Sequence, residues 1–150
     1  MAESELIASL YLPVEGYKLL LPNVSVAEVV EYIQPECESD MPEYYLGKVT
    51  WRGIQLPLLS YELANGQARP GKNGSERIAV INTIGKNHKK LPFFALLTQG
   101  IPRLVKVSAE LVENSDHKAG QVDLRAVRLD GEEAVIPDII SLEKLAVAFV

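Results

Sequence analysis

The sequence predicts a mainly β protein whose sheets close into barrels or a sandwich. Roughly nine or ten short apolar segments follow one another at spacings of about 8–15 residues, and glycine-containing turn signals separate several of them. A helical pattern with a capping residue is clearest at the C-terminal end. No fixed-period repeat is visible. Such a series of short strands favours antiparallel sheets over a parallel α/β architecture.

Composition narrows the class of protein further. The chain has 150 residues, 47% of them hydrophobic and 23% charged, which fits one globular domain over residues 1–150. The net charge of −5 and the scattered basic residues argue against a nucleic-acid partner. No apolar run approaches the roughly 20 residues of a membrane span, so no direct membrane insertion is expected. The single cysteine, Cys37, suits a reducing compartment, and we expect a cytoplasmic protein.

The first elements are predicted to form a hairpin. Residues 6–12 and 17–21 are apolar, and Glu15-Gly16 between them is a turn signal. Ser25 is then expected to cap a short helical turn over residues 26–28. The other predicted strands cover residues 29–33, 44–51, 54–59, 77–84, 93–97, 101–107, 122–129 and 133–137.

Turn chemistry connects these strands. Arg52-Gly53 and Asp130-Gly131 each stand between two strands at the spacing of a two-residue hairpin turn. Pro57 lacks an amide N–H, which predicts an edge strand or a bulge there. Residues 34–43 are expected to form an acidic surface loop, and residues 64–76 a flexible one. Ser141 is expected to cap a final helix over 142–148.

A search for catalytic chemistry finds no candidate residues. The histidines, His88 and His117, lie far apart in polar segments without ligand neighbours. Cys37 stands between two glutamates, whose charge disfavours the reactive thiolate. The acidic residues of 34–43 lack the glycine-centred pattern of a calcium loop. We therefore expect no enzyme activity, no metal site and no cofactor.

Residues 46–58, Leu-Gly-Lys-Val-Thr-Trp-Arg-Gly-Ile-Gln-Leu-Pro-Leu, resemble a motif of the CheW-like family of bacterial chemotaxis coupling proteins. The family's motif has a glycine-led strand, a turn ending in Arg-Gly, and a strand with an apolar-Pro pair. The segments 17–30, 93–101 and 129–145 resemble other family features in the same order. The resemblance thus covers nearly the whole chain.

This resemblance implies a fold and a function. The fold would be two SH3-like five-stranded β-barrels that share a core, followed by a short C-terminal helix. The function would be that of a non-enzymatic scaffold in two-component signal transduction. Such adaptors bridge the cytoplasmic tip of a chemoreceptor (a methyl-accepting chemotaxis protein) and the regulatory domain of a histidine kinase.

The resemblance also implies a partner-binding site. Its residues are Val26, Glu28, Gly47, Arg52, Gly53, Gln99 and Gly100. Arg52 offers a rigid fork of donors on a tight turn, as interface anchors often do, and the alternative is a solvated turn arginine without a partner. Gly47 and Gly53 could serve backbone geometry alone. Trp51 is predicted to belong to the core.

Three departures from the family pattern predict a divergent adaptor, of a chemosensory system that controls type IV pili or another output. They are Thr50, Ser60-Tyr61-Glu62 and Gln99, at positions where the family commonly has Asn, Asp-Leu-Arg and Asp.

An alternative function is a sensor that binds a small ligand in the groove between the barrels, lined by Phe93, Phe94 and Tyr61.

Overall fold

We describe a computed structural model of the chain, which covers residues 6–68, 74–115 and 119–149. Eleven strands and two helices lie in this described part. The strands are β1 (Leu6–Val14), β2 (Tyr17–Pro22), β3 (Val26–Glu31), β4 (Tyr45–Trp51), β5 (Ile54–Ser60), β6 (Arg77–Asn82), β7 (Phe93–Thr98), β8 (Arg103–Ser108), β9 (Glu113–Asn114), β10 (Asp123–Leu129) and β11 (Glu132–Pro137). The helices are α1 (Tyr61–Ala64) and α2 (Ile139–Val147), and single 3₁₀ turns cover Asn23–Ser25 and Ala109–Leu111.

The strands form two sheets, as predicted. The first has the order β8-β1-β2-β11-β10-β9, in which β9 is only two residues long, and the second has the order β3-β6-β7-β5-β4. Most neighbours are antiparallel, but β2–β11 and β5–β7 are parallel pairs. The chain leaves the first sheet after β2, builds the second and returns with β8, so that β11 comes to lie beside β2. In the second sheet β6 pairs with β3 and β7 instead of β5, and β7 then lies beside β5. Strands distant in sequence thus become neighbours.

The two outer strands of the second sheet approach each other, as in a barrel. Glu36, which follows β3, exchanges two backbone hydrogen bonds with Lys48 of β4, at 2.8 and 3.0 Å. A side-chain contact between β3 and β4, described below, adds to this. The segment after β3 therefore covers the edge of β4 that would otherwise be unpaired.

Three apolar clusters explain why several strands are apolar at consecutive positions. In β1, Leu10 and Leu12 pack into a core shared by both sheets, whereas Tyr11 between them packs inside the first sheet. In β5, Leu59 belongs to the shared core and Leu58 to the interior of the second sheet. Because both faces of these strands are covered, the sequence does not alternate between apolar and polar residues.

Two predicted helix starts are wrong by a few residues. The helical turn expected over 26–28 lies instead at Asn23–Ser25, and β3 begins at Val26. A proline at position 22 presets the φ angle needed there, and the β-branched residues after Ser25 favour the strand. The final helix begins at Ile139, and Asp138 caps it: its carboxylate accepts hydrogen bonds from the Ser141 amide and hydroxyl, at 3.1 and 2.7 Å.

The prediction for Pro57 also needs correction, because β5 is an inner strand between β4 and β7. Pro57 pairs with Lys48 of β4, and the pairing with β7 begins only at Leu58. The missing amide N–H therefore falls in a part of the strand with one neighbour. Of the loop predicted at 64–76, residues 69–73 lie outside the described residues, as does His117.

Candidate functional site

The hairpin between β4 and β5 carries the most distinctive predicted site residue. Trp51 pairs with Ile54, so the connection is the two residues Arg52 and Gly53. Their φ angles are +51° and +77°, the left-handed values that a type I′ turn requires at both positions. The predicted turn is confirmed. Its tip presents the side chain of Arg52, which is 69% exposed, to solvent.

The Arg52 guanidinium contacts Glu28 on the opposite edge strand of the same sheet. Glu28 Oε1 accepts hydrogen bonds from Arg52 Nε and Nη2, at 3.3 and 3.1 Å, and from the Trp51 indole N–H at 2.9 Å. We call Glu28, Trp51 and Arg52 the hairpin cluster. It joins β3 to β4, the two edge strands of the second sheet.

The surroundings of the hairpin cluster fix its geometry. The Trp51 ring packs edge-to-face on Phe93 with centroids 5.1 Å apart, and the Arg52 guanidinium lies over Trp51 at 5.2 Å. The hydrogen bond from Trp51, followed by that from Arg52, lowers the pKa of the Glu28 carboxyl below its ordinary value. Glu28 is therefore ionised at neutral pH, and the cluster holds a fixed pair of charges at the surface.

Val26 lies beside this cluster on β3. It is half-buried, pairs with Ile81 of β6 and packs against the shared core. A bulge between Val26 and Glu28 shifts the register there, so that Glu28 pairs with Val80. The structure thus brings Val26, Glu28 and Arg52 to one region, as the resemblance implied.

The two predicted site glycines have backbone roles. Gly47 is buried, has a φ angle of +124°, and lies so close to Glu36 that an added Cβ would be 2.4 Å from its carbonyl oxygen. It permits the bridge between Glu36 and Lys48. Gly53 supplies the second left-handed position of the hairpin turn, and no atom within 4 Å opposes a Cβ there.

Gln99 and Gly100 lie at a different end of the second sheet. Glu28 pairs with Val80, which pairs with Ala95, and Gln99 follows four residues later on the same chain. At about 3.3 Å per residue, Gln99 therefore lies roughly 13 Å along the sheet from the level of Glu28. The backbone N–H of Gln99 donates to the backbone carbonyl of Pro13 at 2.8 Å, so the turn packs against β1 of the first sheet.

The ligand pocket of the alternative function does not form from the predicted residues. Tyr61 and Phe94 are completely buried in the shared core, and the Tyr61 hydroxyl donates to Asp123. Phe93 is half-buried against Trp51. Tyr61 and Phe94 pack the interior, so the three side chains do not line one groove together.

Trp51 is half-buried and packs against the interior of the second sheet, in agreement with its predicted place in the core. Its indole N–H also donates to the carboxylate of Glu28, a contact that the sequence does not predict. The motif gives one signal for this: a half-buried tryptophan needs a partner for its N–H.

Among the described residues, no group of three His, Cys, Asp or Glu side chains could hold a metal ion, and no helix is long and apolar enough to cross a membrane.

These features define a mainly β protein of two sheets with a charged hairpin at its surface. A sequence model of the CheW-like domain family matches residues 9–146. The crystal structure of the scaffolding protein TtCheW from Thermoanaerobacter tengcongensis superposes with a TM-score of 0.74, at 15% sequence identity, over 89% of each chain. At this identity the likeness shows the fold alone. A search of curated protein sequences finds no significant match.

The chain belongs to the CheW-like family. This is a family of non-enzymatic scaffolds and adaptors. The fold of the chain, two sheets with a short C-terminal helix, is the fold of TtCheW.

Proposed function

We propose that this chain, as a single CheW-like domain in the cytoplasm, couples a chemoreceptor to a chemotaxis-type histidine kinase. The receptor's cytoplasmic tip would contact the hairpin cluster and Val26, and the kinase would bind through its regulatory domain. The divergent positions suit a system that controls type IV pili or another output. The observation that carries the proposal is the conformation of Arg52.

Arg52 occupies a left-handed backbone conformation that its turn requires but that an arginine residue disfavours. The hairpin turn at Asp130-Gly131 in the first sheet has nearly the same φ angles, +51° and +79°. There the first position is Asp, one of the residues that tolerate left-handed backbone. An arginine at this position costs about 1 kcal/mol of local stability. Strain of this kind concentrates where a side chain serves function.

The partners of Arg52 prepare it for binding. Glu28 and Trp51 hold one side of the guanidinium, so little side-chain freedom remains to be lost when a partner binds. The other donors of the guanidinium face outward, because the side chain is largely exposed. A planar donor fork held in this way matches the role of an interface anchor.

Replacing Arg52 with alanine is expected to weaken binding to the receptor's cytoplasmic fragment about tenfold or more, because truncating an interface anchor costs at least about 1–2 kcal/mol. The melting temperature should change by only a few degrees, since an exposed ion pair contributes about 0–1 kcal/mol. Titration calorimetry and thermal denaturation of the same samples measure both quantities.

Asp130→Ala is the matched control, because it truncates the same position of the same turn type in the other sheet. It should leave receptor binding unchanged. Equal binding by wild type and Arg52→Ala would contradict the proposed site. A fall of more than about 10 °C in the melting temperature of Arg52→Ala would instead make Arg52 a structural residue.

A further inference from the structure

The loop between β6 and β7 concentrates positive charge in an acidic chain. We call residues 85–90 the basic loop: it contains Lys86, His88, Lys89 and Lys90 and no acidic residue, whereas the whole chain has a net charge of −5. These four side chains are exposed. Within the described residues, none of the three lysines forms an ion pair.

The backbone of the basic loop is held in place from below. The carboxylate of Glu143, on α2, is buried and accepts hydrogen bonds from the amides of Ile84, Gly85 and Asn87 at 3.1, 2.9 and 3.3 Å. The Thr83 hydroxyl lies 2.9 Å from His88 Nδ1. The backbone that carries the lysines is therefore fixed. This reduces the conformational entropy that is lost when a partner binds.

A groove with an apolar floor adjoins the basic loop. Its volume is about 190 Å³, and Ile54, Pro57, Phe93 and Phe149 contribute apolar surface to it. Lys48, from β4, and Lys90, from the basic loop, line the same groove. None of the proposed receptor-contact residues lines this groove. An apolar side chain could therefore enter a groove whose lining also includes two lysines.

We infer that this groove and the basic loop bind an acidic segment of a partner protein, in which an apolar side chain is flanked by glutamate or aspartate. The apolar side chain occupies the groove, and the flanking carboxylates lie against Lys48, Lys90 and the other loop lysines. The groove adjoins the hairpin cluster, because Phe93 packs on Trp51, but none of the proposed receptor-contact residues lines it.

The surroundings of the groove favour a protein segment over a polyanion. Phe149, which lines the groove, stacks on Tyr45 with ring centroids 3.9 Å apart, and the Tyr45 hydroxyl donates to the Glu38 carboxylate at 3.1 Å. Glu38 belongs to the acidic loop at 34–43. The apolar floor of the groove fits a side chain of a protein segment, which a nucleic acid does not offer, and Glu38 adds a negative charge that would oppose an extended polyanion.

The test uses the full chain and a fluorescein-labelled hexapeptide, Glu-Glu-Leu-Phe-Glu-Glu, in anisotropy titrations at low ionic strength. We expect saturable binding that added salt weakens, because exposed charges are screened. The variant Lys86→Gln/Lys89→Gln/Lys90→Gln should bind about tenfold more weakly, since each exposed charge contact contributes a few-fold. Its melting temperature should match that of the wild type.

Matched controls distinguish an effect of the proposed site on peptide binding from an effect of the chain's net charge. Lys90→Gln should weaken binding a few-fold, whereas Lys106→Gln, which removes an exposed charge from β8 of the other sheet, should have no effect. A peptide with Lys in place of Glu should not bind. Absence of peptide binding, or equal binding by the triple variant, overturns the inference. Tighter binding of duplex DNA or phosphatidylserine vesicles, lost in the triple variant, overturns the assignment to a protein segment.

Discussion

Replacing Glu143 with alanine is expected to destabilise the protein by at least about 3 kcal/mol, because hydrogen bonds to a buried charged group contribute about 1.5–3 kcal/mol each. The carboxylate is 1% exposed and accepts from three backbone amides of the segment 84–87. Alanine would leave those donors without their acceptor and free the loop from α2. For a chain of this length the melting temperature should fall by roughly 6–12 °C.

The neighbouring residue provides the control. Lys144 is exposed on the same helix, so Lys144→Ala should change the free energy of unfolding by less than about 0.5 kcal/mol. Glu143→Gln retains an acceptor oxygen, so its free energy of unfolding should lie between those of Glu143→Ala and Lys144→Ala. Thermal and urea denaturation measure the series. If Glu143→Ala is as stable as Lys144→Ala, the carboxylate does not fasten the loop.

The substitution Gly47→Ala should destabilise the protein by about 3 kcal/mol or more. A non-glycine residue at a φ angle of +124° is strained by about 1–3 kcal/mol. The new Cβ would also lie 2.4 Å from the Glu36 carbonyl oxygen, so the two backbone hydrogen bonds of the bridge to Lys48 would have to lengthen or break. Each contributes about 0.5–1.5 kcal/mol.

Gly16 allows the strain and the steric conflict to be separated. Its φ angle is +85°, but no atom lies within 4 Å of an added Cβ. Gly16→Ala should therefore show only the conformational cost, about 1–2 kcal/mol. Urea denaturation of both variants gives the comparison. Equal losses at the two positions would mean that the approach of Glu36 to Gly47 is unimportant for stability.

Local chemistry made much of the fold predictable. The Arg52-Gly53 and Asp130-Gly131 turns followed from glycine at the second position, because only a few residues accept left-handed backbone there. The strands followed from their apolar runs. The cap of α2 was placed three residues late, since Asp138 and Ser141 are both good caps and only the packing of Ile139 selects the earlier start.

The candidate site was less predictable, because its contacts cross the barrel. Glu28 and Trp51 are 23 residues apart on strands at opposite edges of the second sheet, and only closure of that sheet brings them together. The same closure explains Gly47, whose partner Glu36 lies in a loop that the sequence marks only as acidic. Neither the pairing of edge strands nor the position of Gln99 can be derived from local patterns.

The most direct test of the proposed adaptor function is an assembly measurement with purified components. The chain is mixed with a receptor cytoplasmic fragment and a kinase regulatory domain from the same genome, and sedimentation velocity records the complexes formed. We predict a ternary complex that requires the chain and that Arg52→Ala diminishes through loss of the receptor. A chain that binds neither component, or only one of them, would contradict the proposal that it couples the two.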